Sequence, residues 1–272
     1  MERTGRSWIL GMQLRKLRDA QGLTAKYVAE KWLNCSESRI YAIEGGYRRL
    51  NVLELRGLVS NAYNRPELLP RMEELLTQVE ASSDKPIKDT TTVHPNTMWV
   101  HELEPESTAA FGCILDQVPK LAQTYEYMTA QHLMAGFDRN DADGFARAGL
   151  ERQEKFLRLE RPPMTRIIIT ESSVARAVSI PGQLDLLAER AQHPAISFMM
   201  IPNSVGPHFA FSSFTLMEFG EFPAILYLDL VTGGSLVDDE AEIQTARERW
   251  SCLQSVTLSP QETAEYIQNH PR

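Results

Sequence analysis

The chain predicts an α+β fold, in which an N-terminal all-α domain is followed by a mixed α/β domain with a small mixed sheet. Three observations lead there. Apolar residues recur at helical spacing from residue 8 to 79, without β-rich runs. Short runs of Ile, Phe, Met and Leu bounded by Gly and Pro appear only after residue 160. Between the two, Ala81–Pro95 carries Ser, Thr, Asp, Lys and two prolines with little to bury, which reads as a linker. The 272 residues suit two domains, and the expected boundaries are 1–80, 81–95 and 96–272.

In chain order, Trp8 to Gln21 forms the first helix. Ile9, Met12, Leu14 and Leu17 face a core, and Arg15, Lys16 and Arg18 face water. Thr24 to Glu44 reads as two short helices joined by a tight turn, with Tyr27, Val28, Trp32, Ile40 and Ile43 as the apolar face. Ala29 between them is small enough for a close crossing. Ser36 stands where its hydroxyl can cap the second helix by accepting a backbone N–H bond, leaving Glu37, Ser38 and Arg39 on the first turn. Leu53, Leu55, Leu58, Val59 and Ala62 suggest a closing helix. Pro66 fits the first turn of a fifth, with Leu68, Leu69, Met72, Leu75, Leu76 and Val79 inside.

Beyond the linker, the pattern predicts helices over Met98–Gln117, Leu121–Met134 and Phe145–Arg161, then strands at Ile167–Ile169, Ile196–Ile201, Phe214–Phe219 and Ala224–Leu230. A helix at Gln183–Gln192 separates the first two strands, which makes them a parallel pair. The later, closely spaced strands suggest antiparallel hairpins. Glu240–Val256 supplies a further helix.

A helix that opens with short polar and basic groups, held by an apolar partner helix, can enter the DNA major groove. This stretch resembles the helix-turn-helix of the Cro/C1-type (XRE) bacterial regulators. Leu14-Arg15-x-Leu17-Arg18 fits the family's opening and Gly22-Leu23-Thr24 its approach to the second helix. Ser36-x-Ser38-x-Ile40-x-x-Ile43-Glu44-x-Gly46 fits its signature. The chain departs from the family at Ala25, where Gln is common, and in a glycine-free turn, Trp32–Cys35, one residue longer. Gly45 stands where Arg is common. The resemblance implies a DNA-binding head with Lys26, Ser36, Glu37, Ser38, Arg39, Arg48 and Arg49 as the contact residues; base specificity does not transfer. The plainer reading is a helical bundle that binds protein, or nothing.

The C-terminal part resembles the DUF5753 domain (Scr1/WhiJ-type) found behind such heads. Glu106–Ala110, the run Val118–Tyr127, Glu151-Arg152-Gln153, Glu171, Gln183-Leu184-x-x-Leu187, Ile201–Phe211 and Ile225–Asp229 carry that likeness. Lys120 and Ala122 replace the family's Gly and Leu. The resemblance implies a regulatory domain that binds a small DUF397-type partner protein, in an antitoxin-like arrangement.

Charge agrees with this division. Residues 1–79 hold 13 Lys and Arg against 9 Asp and Glu, and the remainder 15 against 27, within a net −8. A basic head on an acidic body concentrates attraction to phosphate at one end. Cys35, Cys113 and Cys252 are distant and odd in number, which points to reduced thiols in a cytoplasmic protein rather than disulfides or a metal knuckle. No apolar run reaches the ~20 residues of a bilayer span.

No catalytic set assembles. Ala148-Gly149 is a dipeptide that self-cleaving repressors cut, but no Lys follows Lys155 to serve as base. His101-Glu102 lacks the second His of a zinc protease, and His132, His193 and His208 are isolated. His208 and the Met- and Phe-rich strands offer core first and a pocket lining second. The expectation is a transcriptional regulator binding a double-stranded operator as a homodimer, with neither enzymatic activity nor cofactor. A small-molecule-sensing regulator is the alternative, and an enzyme with a DNA-binding head comes third.

Overall fold

The computed structural model describes residues 4–80, 87–88, 103–115, 117–208, 210, 212–220, 222–230 and 233–271. The chain mixes helix and sheet, in the coarse form expected. It divides into two compact units, Met1–Ile87 with Val237–Asp239, and Lys88–Leu236 with Glu240–Arg272.

The first unit holds α1 (Gly5–Ala20), α2 (Ala25–Val28), α3 (Glu37–Glu44), α4 (Val52–Arg56) and α5 (Leu69–Glu80). Thr4 and Ser7 satisfy each other's backbone N–H groups in a capping box, so α1 begins before Trp8. Two close approaches set the geometry. A Cβ on Gly11 would lie 2.4 Å from the carbonyl oxygens of Ile43 and Glu44, so only glycine lets α1 cross the end of α3 there. Gly46 has φ +76, and Ser7 Oγ donates to its carbonyl at 3.0 Å. Val28, Ala29, Ile40, Ile43, Leu55 and Leu58 fill the space between the helices. Arg6, buried in α1, pairs with Asp238 at 2.7 Å, both side chains being almost wholly inaccessible.

Four expectations for this unit change. Arg18 is not wet but buried, held by Glu44. Tyr27 is 47% exposed and Trp32 37%, so neither belongs to the apolar face. The cause is the turn after α2: Ala29–Leu33 winds as a π-helix and ends in left-handed Asn34 (φ 44), which absorbs the extra residue and swings Trp32 outward. Leu53 is 72% exposed, because α4 is little more than one turn and buries only Leu55. Pro66 opens a short 3₁₀ turn, Pro66–Leu68, that runs into α5.

The second unit is built on a sheet of β2 (Ala109–Ile114), β3 (Met164–Thr170), β4 (Ile196–Ile201), β5 (Phe214–Glu218), β6 (Ile225–Leu230) and β7 (Gly233–Val237). With the two-residue β1 (Ile87–Lys88), the order is β1-β7-β6-β5-β2-β3-β4. β3 runs parallel to β4 and β5 antiparallel to β6, as the spacing predicts. The helices are α6 (Tyr125–Met134), α7 (Arg139–Leu157), α8 (Glu171–Val178), α9 (Gln183–Arg190), α10 (Glu240–Gln254) and α11 (Pro260–Asn269).

The predicted helix over Met98–Gln117 is overturned within its described part. Residues 109–114 form β2, parallel to β3 on one side and antiparallel to β5 on the other. Covered on both faces, it shows no strand alternation in sequence. The expected linker and Trp99 lie outside the described residues, apart from β1. Alternation does organise β3 and β4. Ile167, Ile169, Phe198 and Met200 pack on one face with Val174 and Leu187, while Ile168, Met199 and Ile201 pack on the other with Trp250 and Leu253. Phe198, Met199 and Met200 are therefore core. Among the described residues no helix is long and apolar enough to cross a membrane.

Candidate functional site

Two regions of the molecule have the makings of a site. The first is the outer side of α2 and α3. Thr24 caps α2 by accepting from the Tyr27 N–H at 3.1 Å, which leaves Lys26 exposed on the first turn. α3 starts after Ser36, whose backbone is in the extended conformation expected of a cap. Its hydroxyl does not bond a helix N–H; it pairs with Ser38 Oγ at 2.9 Å. That corrects the expected side-chain cap, since a serine partner two residues on captures the hydroxyl first.

Ser36, Glu37 and Ser38 are exposed, and Tyr41 joins them at 55% exposure. Tyr41 donates its hydroxyl to Glu37 at 3.0 Å, and that bond raises the phenol's pKa. Tyr41 is not among the motif positions, although its place between inward-facing Ile40 and Ile43 puts it outside. Arg39 is half-buried and reaches across to α4, Nη2 lying 2.6 Å from Glu54 Oε1. Glu54 also closes the capping box of α4 by accepting from Asn51 N–H at 2.9 Å. Arg39 is thus held at the edge of the exposed surface. Arg48 and Arg49 are both exposed just past Gly46. Lys26, the first turn of α3 and Arg48 and Arg49 all belong to the solvent side of the first unit, and Arg39 is tied to the Glu54 carboxylate.

The second region lies within the second unit, on the face of the sheet bearing Ala110 and Gly112. Lys120, in a 3₁₀ turn (Lys120–Ala122), reaches Asp229 of β6 at 3.2 Å. Tyr227 donates to the other Asp229 oxygen at 2.9 Å. Arg152 of α7 grips Glu104 with two bonds, at 3.0 and 2.9 Å. Burial pushes the Lys120 ammonium below its ordinary pKa, against the pull of Asp229. These groups line a cavity of about 60 Å³. The partners stand 48 and 109 residues apart in the chain, so no spacing rule foretells them. The one hint was Lys120 itself, a long cation where the resemblance expects glycine.

On the opposite face, Phe214, Leu226 and Leu228 floor a groove of about 390 Å³ beside α10, with Glu242 and Arg249 at its rim. His208 is exposed and lines neither space. His132 is buried with Nδ1 2.7 Å from the Met128 carbonyl, and His193 Nδ1 accepts from Ala195 N–H at 3.2 Å. Ala148-Gly149 lies inside α7, where a Cβ on Gly149 would press on Met128 Sδ.

A family described as Domain of unknown function (DUF5753) matches residues 99–269. No curated protein and no solved structure matches the chain.

Proposed function

The chain belongs to the DUF5753 family, which spans more than half its length, and we propose that it is a sequence-specific DNA-binding transcriptional regulator. In this reading residues 1–80 form a Cro/C1-type helix-turn-helix head in which α3 enters the major groove. The observation that carries it is the two-sidedness of α3. Its inner side is locked by Ile40, Ile43 and the glycine contact with α1, while Ser36, Glu37, Ser38 and Tyr41 are presented outward beside Lys26, Arg48 and Arg49. A helix that is rigidly backed and polar in front is what major-groove reading requires. The excess of Lys and Arg in residues 1–79 supports the same assignment, since phosphate attraction dominates affinity.

One such helix contacts few bases, so the protein acts as a homodimer on two half-sites about one DNA turn apart. The second unit is its regulatory part, under the control of a small DUF397-type partner protein in an antitoxin-like arrangement. Selection of bound fragments from random duplex DNA with the full chain, followed by gel-shift titration, tests the DNA reading. Enrichment of a near-palindrome supports it. Equal affinity for selected and random duplexes at physiological salt sinks it.

A further inference from the structure

The cavity over Gly112 is a candidate site of its own. Lys120 and Asp229 meet through one contact at 3.2 Å, with side chains 28% and 32% exposed. Both line the cavity. An ammonium carries three donors and a carboxylate about four acceptor positions. Lys120 has one acceptor, Asp229, among the described residues. Asp229 accepts from Lys120 and Tyr227, which leaves lone pairs over. The second ion pair is different: Arg152 and Glu104 satisfy each other in a two-bond fork, and their side chains are only 12% and 9% exposed. Positive and negative hydrogen-bonding capacity is thus left over at adjacent points, beside a fixed, internally satisfied pair.

The four charges sum to zero. A bare anion in this partly desolvated space would leave a net charge there, and so would a bare cation, each at a desolvation cost. A molecule carrying both charges a short distance apart keeps the balance. The rest of the lining is mostly apolar or small, with Gly112, Ile114 and Ile167 among it; Thr215 adds a hydroxyl, and so does Thr165, which donates to the Pro163 carbonyl. A water needs about 10–15 Å³ by the same measure, so the space suits roughly five or six non-hydrogen atoms.

We propose that this cavity binds a small zwitterionic α-amino acid, of the size of glycine or alanine. Its carboxylate accepts from Lys120 and Thr215, its ammonium donates to Asp229, and its α-carbon rests over Gly112. Charge-assisted bonds at both ends make the site selective for the zwitterion over either half.

Calorimetric titration of the full chain with glycine and alanine, against propionate and ethylamine, tests this. Glycine or alanine is expected to bind at least about tenfold tighter than either single-charge analogue, as two charge-assisted bonds imply. Lys120→Met is expected to weaken binding by a similar factor. Gly112→Val is expected to abolish it by filling the space, with its thermal unfolding transition measured alongside; Gly112→Ala, whose Cβ meets Ile167 at an ordinary 3.5 Å, keeps that transition and is expected to weaken binding. Propionate binding as tightly as glycine would overturn the proposal. So would unchanged binding by folded Gly112→Val, or no heat from either amino acid at millimolar concentration. No DNA takes part, so either result leaves the DNA-binding reading to its own test.

Discussion

Arg18 and Glu44, two separate motif positions in the sequence, are partners. Nε of Arg18 donates to Oε1 at 2.6 Å and Nη2 to Oε2 at 3.0 Å, with both side chains under a tenth exposed. Nη1 of the same guanidinium donates to the Leu23 carbonyl at 2.8 Å. One arginine therefore ties α1, the turn before α2, and the end of α3. Its hydrogen bond to Glu44 raises the guanidinium pKa further, against burial, so the guanidinium stays charged at any ordinary pH.

Removing one side strands the other as a buried charge. Arg18→Leu is expected to lower stability by about 3–5 kcal/mol, and Glu44→Leu by a similar amount. The double variant should lose less than either single change, since no charge is left unpaired. Urea titration followed by tryptophan fluorescence checks the ranking, Trp8 being buried against this part of the structure. Additive losses in the double variant would show that the pair is not coupled.

Arg39 gives a prediction about DNA. To reach a base edge it must leave Glu54, so the ion pair competes with DNA for the guanidinium. Glu54→Gln keeps a side chain able to complete the α4 capping box yet removes the charge. That variant is expected to bind the selected operator more tightly. Arg39→Ala should narrow the gap between operator and random DNA by about 1–3 kcal/mol, the worth of a bidentate guanine contact. Arg48→Ala should weaken both about equally and flatten the salt slope by roughly 0.9. Gel shifts across a salt series separate the three results. If folded Arg39→Ala keeps full discrimination, this arginine does not read bases.

Glycine substitutions in the first unit are expected to split by sign. Gly11→Ala forces backbone carbonyls apart, because the clash at 2.4 Å involves main-chain atoms with nowhere to go. A loss towards the upper end of the roughly 1–3 kcal/mol typical of overpacking is expected. Gly57 sits in helical conformation (φ −59, ψ −44) with nothing within 4 Å of a built Cβ. Gly57→Ala is expected to stabilise by about 0.4–1 kcal/mol. Thermal unfolding of the two variants side by side decides it.

The three thiols should differ in reactivity. Burial pushes the Cys113 thiol up to about 12, so its thiolate is scarce at neutral pH and still scarce at pH 9. Cys252 is exposed and Cys35 half-exposed. Native protein at pH 8 is expected to take iodoacetamide at Cys252 and Cys35 and to spare Cys113 until denaturant is added. Peptide mass spectrometry reads the three sites separately, and labelling of Cys113 in folded protein would contradict its placement in the sheet.

Where the sequence could be read and where it could not follows from how each element is covered. β3 and β4 announce themselves because Ile and Met alternate between two cores. β2 hides, since Ala109, Ala110, Gly112 and Cys113 are weak strand formers and neighbours bury it from both sides. β7 begins with Gly233-Gly234, two residues without side chains that leave no strand pattern at its start. α11 was overlooked despite legible signals: Ser259 and Glu262 form a capping box and Pro260 occupies the first turn. In the first unit the helices were legible, but the π-turn at Ala29–Leu33 was not, and it changed which aromatics face water. The outer surface of α3 was foreseeable from Ser36 to Arg39. The hold of Glu54 on Arg39 was not, nor was the Lys120–Asp229 pair, because long-range ionic partners leave no periodic trace.

The contact of Gly11 with the carbonyls of Ile43 and Glu44 separates two kinds of change in this protein. Where α1 crosses the end of α3, main chain rests on main chain, and with Ile40, Ile43 and Glu44 all facing inward no side chain on the outer half of α3 takes part. Ser36, Glu37, Ser38 and Tyr41 can therefore be exchanged as a set while the helix stays on its mount. The chemistry this surface presents then rests on four outward residues, and the glycine behind them is a position where an added methyl moves the helix itself.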